Sequence, residues 1–249
     1  MRIILPPSET KAPGGAGAPL DPAALGFPEL AGVRAEIAAD LTALAADRDR
    51  AMAALGLGPR LAAEVDADRE LATAPTMAAL DRYTGVLYDA LDAATLDPAE
   101  RSRLLIGSAL FGLLRADDPI PRYRLSAGAK LPRRADPAAA PPTMRARWAG
   151  ALPAALATLP GPVLDLRSGG YVNLGRAPAA ITARVVTAAG KVVSHHNKHH
   201  KGLLARALAR ADAERPLADR AAMVAAARAA GLDAAAAADG VIEVTAHPG

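Results

Sequence analysis

Residues 103–114 read RLLIGSALFGLL. Behind its leading arginine the run is too apolar to lie on a surface, and it is far shorter than the ~20 residues of a membrane helix. Proline and acids precede it in LDPAERS (96–102), and glycines break it at 107 and 112. This pattern predicts a buried strand or strand-to-turn segment, with Gly107 and Gly112 permitting close backbone approach. Short strand-like runs recur on either side: RIIL (2–5) before Pro6, GPVLDLRS (161–168) and GVIEVTAH (240–247), with ARVVTAAGKVVSHH (183–196) reading as a hairpin around Ala-Gly. Helical patterns lie between them. From Pro28 to Leu71 the residues Leu30, Val33, Ile37, Leu41 and Leu44 recur every three or four positions, which marks one buried stripe. Residues 136–159 read as a loop and then a helix, 200–211 as a helix, and 219–231 as a helix ended by Gly231. The Gly/Pro-rich segment 8–28 reads as a mobile loop. Strands separated by helices of irregular length, without a repeat or a clean boundary, predict a mixed α/β (α+β) chain, long enough for one large core or two small ones.

Composition narrows the class. A chain of 249 residues with 51% hydrophobic and 22% charged residues is that of a soluble globular protein. The absence of cysteine excludes disulfides, thiolate catalysis and sulfur-ligated zinc, and suits a reducing compartment. The apolar start is cut by Pro6-Pro7, short of a secretory signal, and no stretch reaches the length of a membrane span. A cytoplasmic protein without a membrane partner is expected. The net charge of +3 is small but unevenly placed. No acid occurs between Asp165 and Asp212, where Arg167, Arg176, Arg184, Lys191, Lys198, Lys201, Arg206 and Arg210 all fall. Gathered on one face, these cations would attract phosphate; scattered around a globule, they would do nothing in particular.

Several motifs bear on function. In ALGLGPRLAAEV (54–65), Gly56 and Gly58 flank Leu57 and Arg60 follows. The pattern suits a helix-hairpin-helix-like element over 55–66, whose free N–H groups would hold a backbone phosphate without reading bases. It also suits a plain helix cap followed by a new helix start. His195, His196, His199 and His200 have the i,i+4 spacing of a metal pair, but no carboxylate lies nearby and Lys198 and Lys201 would repel a dication. No metal and no cofactor are expected. Tyr83, Tyr88, Tyr123 and Tyr171 can stack on a base or donate a hydroxyl hydrogen bond. DLRSGGYVNLG (165–175) sets Arg167, Ser168 and Tyr171 around two glycines just after a strand, where an anion could be received, although it lacks nucleotide-loop spacing.

Taken in order, these segments resemble the YaaA family of bacterial peroxide stress proteins, also named UPF0246. The resemblance runs along nearly the whole chain: ILPPSETK at the start, YTG at 83–85, SALFGLLRADDPIPRYRLSAG (108–128), Trp148, LRSGGY (166–171) and SHHNKHHKGLLAR (194–206). Residue by residue it falls on Ser108, Gly112, Arg115, Asp118, Tyr123, Arg124, Ser168, Tyr171, Lys198, Lys201 and Gly202, with Lys201 where the family usually has arginine. Ala109, Phe111 and Ala116 depart from the family's Gly, Tyr and Pro, and Glu9 stands near its first-loop lysine, with Lys11 displaced.

The resemblance implies a single domain over residues 1–249, of mixed α/β (α+β) fold and unusual topology, with a basic cleft and a helix-hairpin-helix-like element. It also implies binding of double-stranded DNA and protection against peroxide by limiting free iron and the oxidative damage iron causes. On that reading Gly56, Gly58, Arg60, Arg115, Arg124, Arg167, Tyr171, Lys198, Lys201 and Arg206 would receive phosphates. The alternative is an enzyme acting on a nucleotide or nucleobase-like small molecule in the same cleft, with Ser108, Tyr123, Ser168 and Lys198 as candidate catalytic groups. No complete Ser-His-Asp or paired-carboxylate arrangement can be assigned, so the sequence names no reaction.

Overall fold

A computed structural model describes residues 1–192, 197–238 and 240–246. The strands are β1 (Arg2–Leu5), β2 (Gly17–Pro19), β3 (Pro75–Ala78), β4 (Leu104–Ser108), β5 (Gly112–Arg115), β6 (Pro119–Ile120), β7 (Val163–Asp165), β8 (Ile181–Thr187), β9 (Ala234–Ala236) and β10 (Val241–Ala246). Seven form the main sheet in the order β5-β4-β1-β7-β8-β10-β9. Its five inner strands run parallel, and the edge strands β5 and β9 are antiparallel to their neighbours. Parallel strands covered on both faces read as unbroken apolar runs instead of alternating ones. Ile3, Ile4, Leu104 and Ile106 are accordingly fully buried.

The stretch 103–114 forms the tight β4–β5 hairpin. Gly112 has φ +71, and a Cβ there would lie 2.8 Å from the Trp148 ring, so both backbone and space demand glycine. The indole of Trp148 donates to Ala109 O at 2.8 Å, closing the hairpin from the side.

The predicted stripe is carried by the helix Ala31–Ala45 and the turn before it: Leu30, Ile37, Leu41 and Leu44 are buried, while Val33 is only half-buried. Arg34, on the same helix, turns inward and donates to Phe111 O and Leu113 O at 2.9 and 2.7 Å, tying the helix to the hairpin and β5. Residues 136–159 hold two helices, Met144–Trp148 and Ala151–Ala157, broken at Gly150. After β8 the expected hairpin continues only as a single bridge, Val186 to Val192, among the described residues; Val193 to His196 lie outside them. The segment 8–28 is a loop with a short strand inside it, and β2, β3 and β6 form a second, three-stranded sheet. One apolar cluster extends from Ile3 to Val244. Among the described residues no helix is long and apolar enough to cross a membrane.

Candidate functional site

In open parallel sheets, ligands sit in crevices beyond the carboxyl ends of the strands. β1 and β7 are neighbours, and the loops that leave them, through Pro6–Thr10 and Leu166–Ser168, line a cavity of about 500 Å³. Thr84 to Tyr88 form a second wall, and Tyr171 with Asn197, Lys198 and Lys201 a third. Its floor is rich in hydroxyls. Thr10 Oγ1 lies 3.1 Å from both Ser8 Oγ and Thr84 Oγ1. Lys201 Nζ donates to Leu166 O at 3.3 Å, and burial lowers its pKa against the opposing pull of Asp165. Lys198, one helical turn earlier, is exposed at the rim. The buried Oδ1 of Asn197 has no hydrogen-bond partner among the described residues.

Ser108 and Tyr123 do not line this cavity; they lie in the core. Ser108 Oγ is 2.7 Å from Tyr123 Oη, which is 2.6 Å from Tyr83 Oη, and Phe111 N donates to Ser108 Oγ at 3.0 Å. Over these rings lies Lys11, its Nζ 4.3 Å from the Tyr123 centroid and 5.3 Å from that of Tyr83, donating to Ser8 O. Burial draws the Lys11 pKa down to about 8 and pushes Tyr83 up to about 12. Asp68 is fully buried. It accepts from Arg124 N at 2.6 Å through Oδ1, its Oδ2 is without a hydrogen-bond partner among the described residues, and burial pushes its pKa up to about 8, against the pull of the Arg124 N–H and of Lys11.

Asp68 gives stability a pH dependence of definite sign. Between the ordinary carboxyl pKa of about 3.9 and its folded value, the folded chain holds a proton that the unfolded chain has released. Stability from this group therefore falls as pH rises from 4 to 8, by at most about 1.4 kcal/mol per unit. Asp68→Asn, which keeps an acceptor for Arg124 N, is expected to remove that fall. Urea denaturation at pH 5 and pH 8 checks it: equal pH responses in the two proteins would refute the assignment.

The other cations expected at the site are placed differently. Arg167 is buried, bound by its neighbour Asp165 through Nε at 2.9 Å and Nη2 at 2.7 Å, and donates to Gly175 O at 2.9 Å. Arg124 holds the first loop, with Nη2 on the Glu9 carboxylate at 2.7 Å and Nη1 on Glu9 O at 3.1 Å. Arg206 lies 3.5 Å from Asp92, and Arg115 stands at the opposite end of the sheet from Ser108, paired in register with Leu105. Gly56, with φ +64, ends the helix Arg48–Leu55; its N–H bonds Ala53 O and that of Leu57 bonds Met52 O. Gly58 and Pro59 then open the next helical turn, which carries the exposed Arg60 and leads into Ala62–Arg69. A smaller cavity of about 220 Å³ beside this turn is lined by Gly56, Leu57, Arg124 and Glu9, so Glu9 borders both cavities. His199 and His200 meet edge to face at 5.6 Å, whereas His195 and His196 lie outside the described residues. Among the described residues no group of three or more His, Cys, Asp or Glu is placed to hold a metal ion.

A family described as "Peroxide stress protein YaaA" matches residues 1–230. The chain belongs to the YaaA family of peroxide stress proteins. It is 55% identical over 213 residues to a UPF0246 protein of Corynebacterium efficiens, covering 84% of this chain and 85% of the relative. A UPF0246 protein of Corynebacterium glutamicum is 52% identical over 218 residues, with 86% and 87% covered. One from Streptomyces coelicolor is 42% identical over 219 residues, with 84% and 82% covered. The hydroxyls Ser8, Thr10 and Thr84, which line the cavity, and the buried Asp68 are groups that the sequence did not single out, and Lys11 entered there only as a departure from the family pattern.

Proposed function

We propose that the chain acts in the peroxide stress response by binding duplex DNA through its backbone phosphates, and so helps to limit iron-dependent oxidative damage. One observation carries this reading. The Gly56 turn and the larger cavity adjoin at Glu9, whose charge is taken by Arg124; among the described residues Lys198 and Lys201 line the larger cavity outside any ion pair, and the exposed Arg60 follows the Gly56 turn in sequence. Contacts to phosphate from such groups fix position without reading sequence. Fluorescence anisotropy with duplex DNA across a salt series tests it. Binding is expected to be indifferent to sequence and to weaken steeply with salt, and Lys198→Ala/Lys201→Ala is expected to flatten the log–log slope by about 2. A duplex that fails to bind at low salt sinks the proposal.

A second reading, an enzyme acting on a nucleotide or nucleobase-like molecule in the cavity, is favoured by the partly neutral Lys11 near Asp68 and the Ser108–Tyr123–Tyr83 hydroxyl chain behind the floor. A mononucleotide that binds with little salt dependence, in a protein that ignores duplex DNA, would select it.

A further inference from the structure

At the opposite end of the main sheet, under the amino ends of β1 and β4, a second cavity of about 650 Å³ opens. Arg2, at the start of β1, and Arg115, at the end of β5, flank it, and Phe27, Leu105, Leu159 and Pro160 supply apolar wall. Arg2 Nη1 donates to Ser102 O at 2.6 Å, and among the described residues neither guanidinium enters an ion pair. The Arg115 guanidinium lies 5.9 Å from the Phe27 ring centre, and its stem packs over Gly26, where a Cβ would come within 2.9 Å of Cγ and Cδ.

The acids around this cavity are committed elsewhere. Asp118 Oδ1 accepts from Gly26 N at 3.0 Å and Oδ2 from Arg115 N at 2.9 Å. Asp117 is paired with Arg101 at 2.7 Å. Asp212, which also acts on Arg2, is bound to the chain's amino terminus at 3.0 Å and to Arg103 at 2.8 Å. Burial, together with repulsion from Arg103 and Arg115, lowers the Arg2 pKa. With Asp117 taken by Arg101, the lining carboxylate left to answer the two guanidiniums is Asp118, whose charge also acts on Arg115. Two guanidiniums sharing one carboxylate leave an excess of positive charge that an anion relieves, and their planar forks fit phosphate oxygens.

We infer that this cavity binds a small organic phosphate, with the phosphate between Arg2 and Arg115 and the apolar body against Phe27, Leu159 and Pro160. A dianion answers two guanidiniums better than a single carboxylate does. The site is independent of the DNA-binding face, because it shares no residue with the cavity of Lys198 and Lys201.

Isothermal titration calorimetry with phenyl phosphate, inorganic phosphate and benzoate tests the inference. One-site saturation is expected, tightest for phenyl phosphate, and Arg115→Ala should weaken it at least about tenfold, the effect of losing one charge-assisted contact. Lys198→Ala/Lys201→Ala should leave it unchanged. Arg115→Gln, which keeps the stem over Gly26, carries the test if circular dichroism shows that alanine loosens the fold. The inference is overturned by any of three results: no saturable heat from phenyl phosphate up to about 10 mM, binding indifferent to both Arg115 variants, or binding abolished by the lysine pair.

Discussion

Arg82→Met is expected to lower the unfolding free energy by about 3–5 kcal/mol, the less-than-additive cost of leaving several buried carbonyls without their charged donor. Arg82 is fully buried and enters no ion pair among the described residues; carbonyl oxygens surround it instead. Nη1 donates to Ala12 O at 2.6 Å and Gly14 O at 2.8 Å, Nη2 to Pro75 O at 3.1 Å and Ile120 O at 3.2 Å, and Nε to Ile120 O at 3.3 Å. One side chain thereby joins the first loop to β3 and β6. Methionine fills the volume but donates nothing, so buried carbonyls lose their partners at about 1–3 kcal/mol each, less than additively. Arg82→Lys is expected to recover only part of the loss, because an ammonium lacks the fork that reaches several carbonyls at once. Urea denaturation measures both variants. A loss below about 1 kcal/mol for Arg82→Met would mean that these carbonyls find water when the arginine is gone. Because Ala12 follows Lys11, a loosened loop is also expected to disturb the cavity floor.

Legibility in the sequence followed burial. A buried strand or strand-to-turn segment in RLLIGSALFGLL was readable because apolar side chains were required at almost every position; that Gly112–Arg115 turns back to pair with Leu104–Ser108 emerges only in the fold. The helix Ala31–Ala45 was readable for the same reason, except at Arg34, whose inward turn toward Phe111 and Leu113 leaves no trace in an apolar pattern. The second sheet was not readable. Its strands GAP, PTMA and PI are short and rich in glycine and proline, which ordinarily signal loops, and they pair only because the chain brings them together. At the site, Ser168, Tyr171, Lys198 and Lys201 do line one cavity. Arg167 faces Asp165 instead, and that could have been read: residues two apart on an extended chain share a side. Lys11 and Asp68 come from distant segments that no local spacing links, so their shared burial emerges only from the fold. Family resemblance does not supply it either, since Lys11 stands away from the family's lysine position.

Gly202→Val is expected to destabilise the protein by about 3 kcal/mol, at the upper end of overpacking costs, and to lower the melting temperature by roughly 6–12 °C for a chain of this size. Gly202 lies in the helix Asn197–Glu214 where it crosses the helix Val86–Leu91. A Cβ there would overlap the carbonyl oxygen of Leu87 and come 2.8 Å from Ala90 Cβ and 3.0 Å from Leu91 N. Two of these obstacles are backbone, so no rotamer change relieves the clash and the helices must separate. The gain in helix propensity on replacing glycine, about 1 kcal/mol at most, is too small to compensate. The same helix carries Lys198 and Lys201 to the cavity, and the facing segment supplies Thr84 to Tyr88, so separation moves both walls at once. On the proposed function, Gly202→Ala is therefore expected to reduce duplex binding while keeping both lysines. If Gly202→Ala folds and binds as the wild type does, the two helices are not held at this distance by their contact, and the placement of Lys201 beside Leu166 rests on β7 and its loop alone.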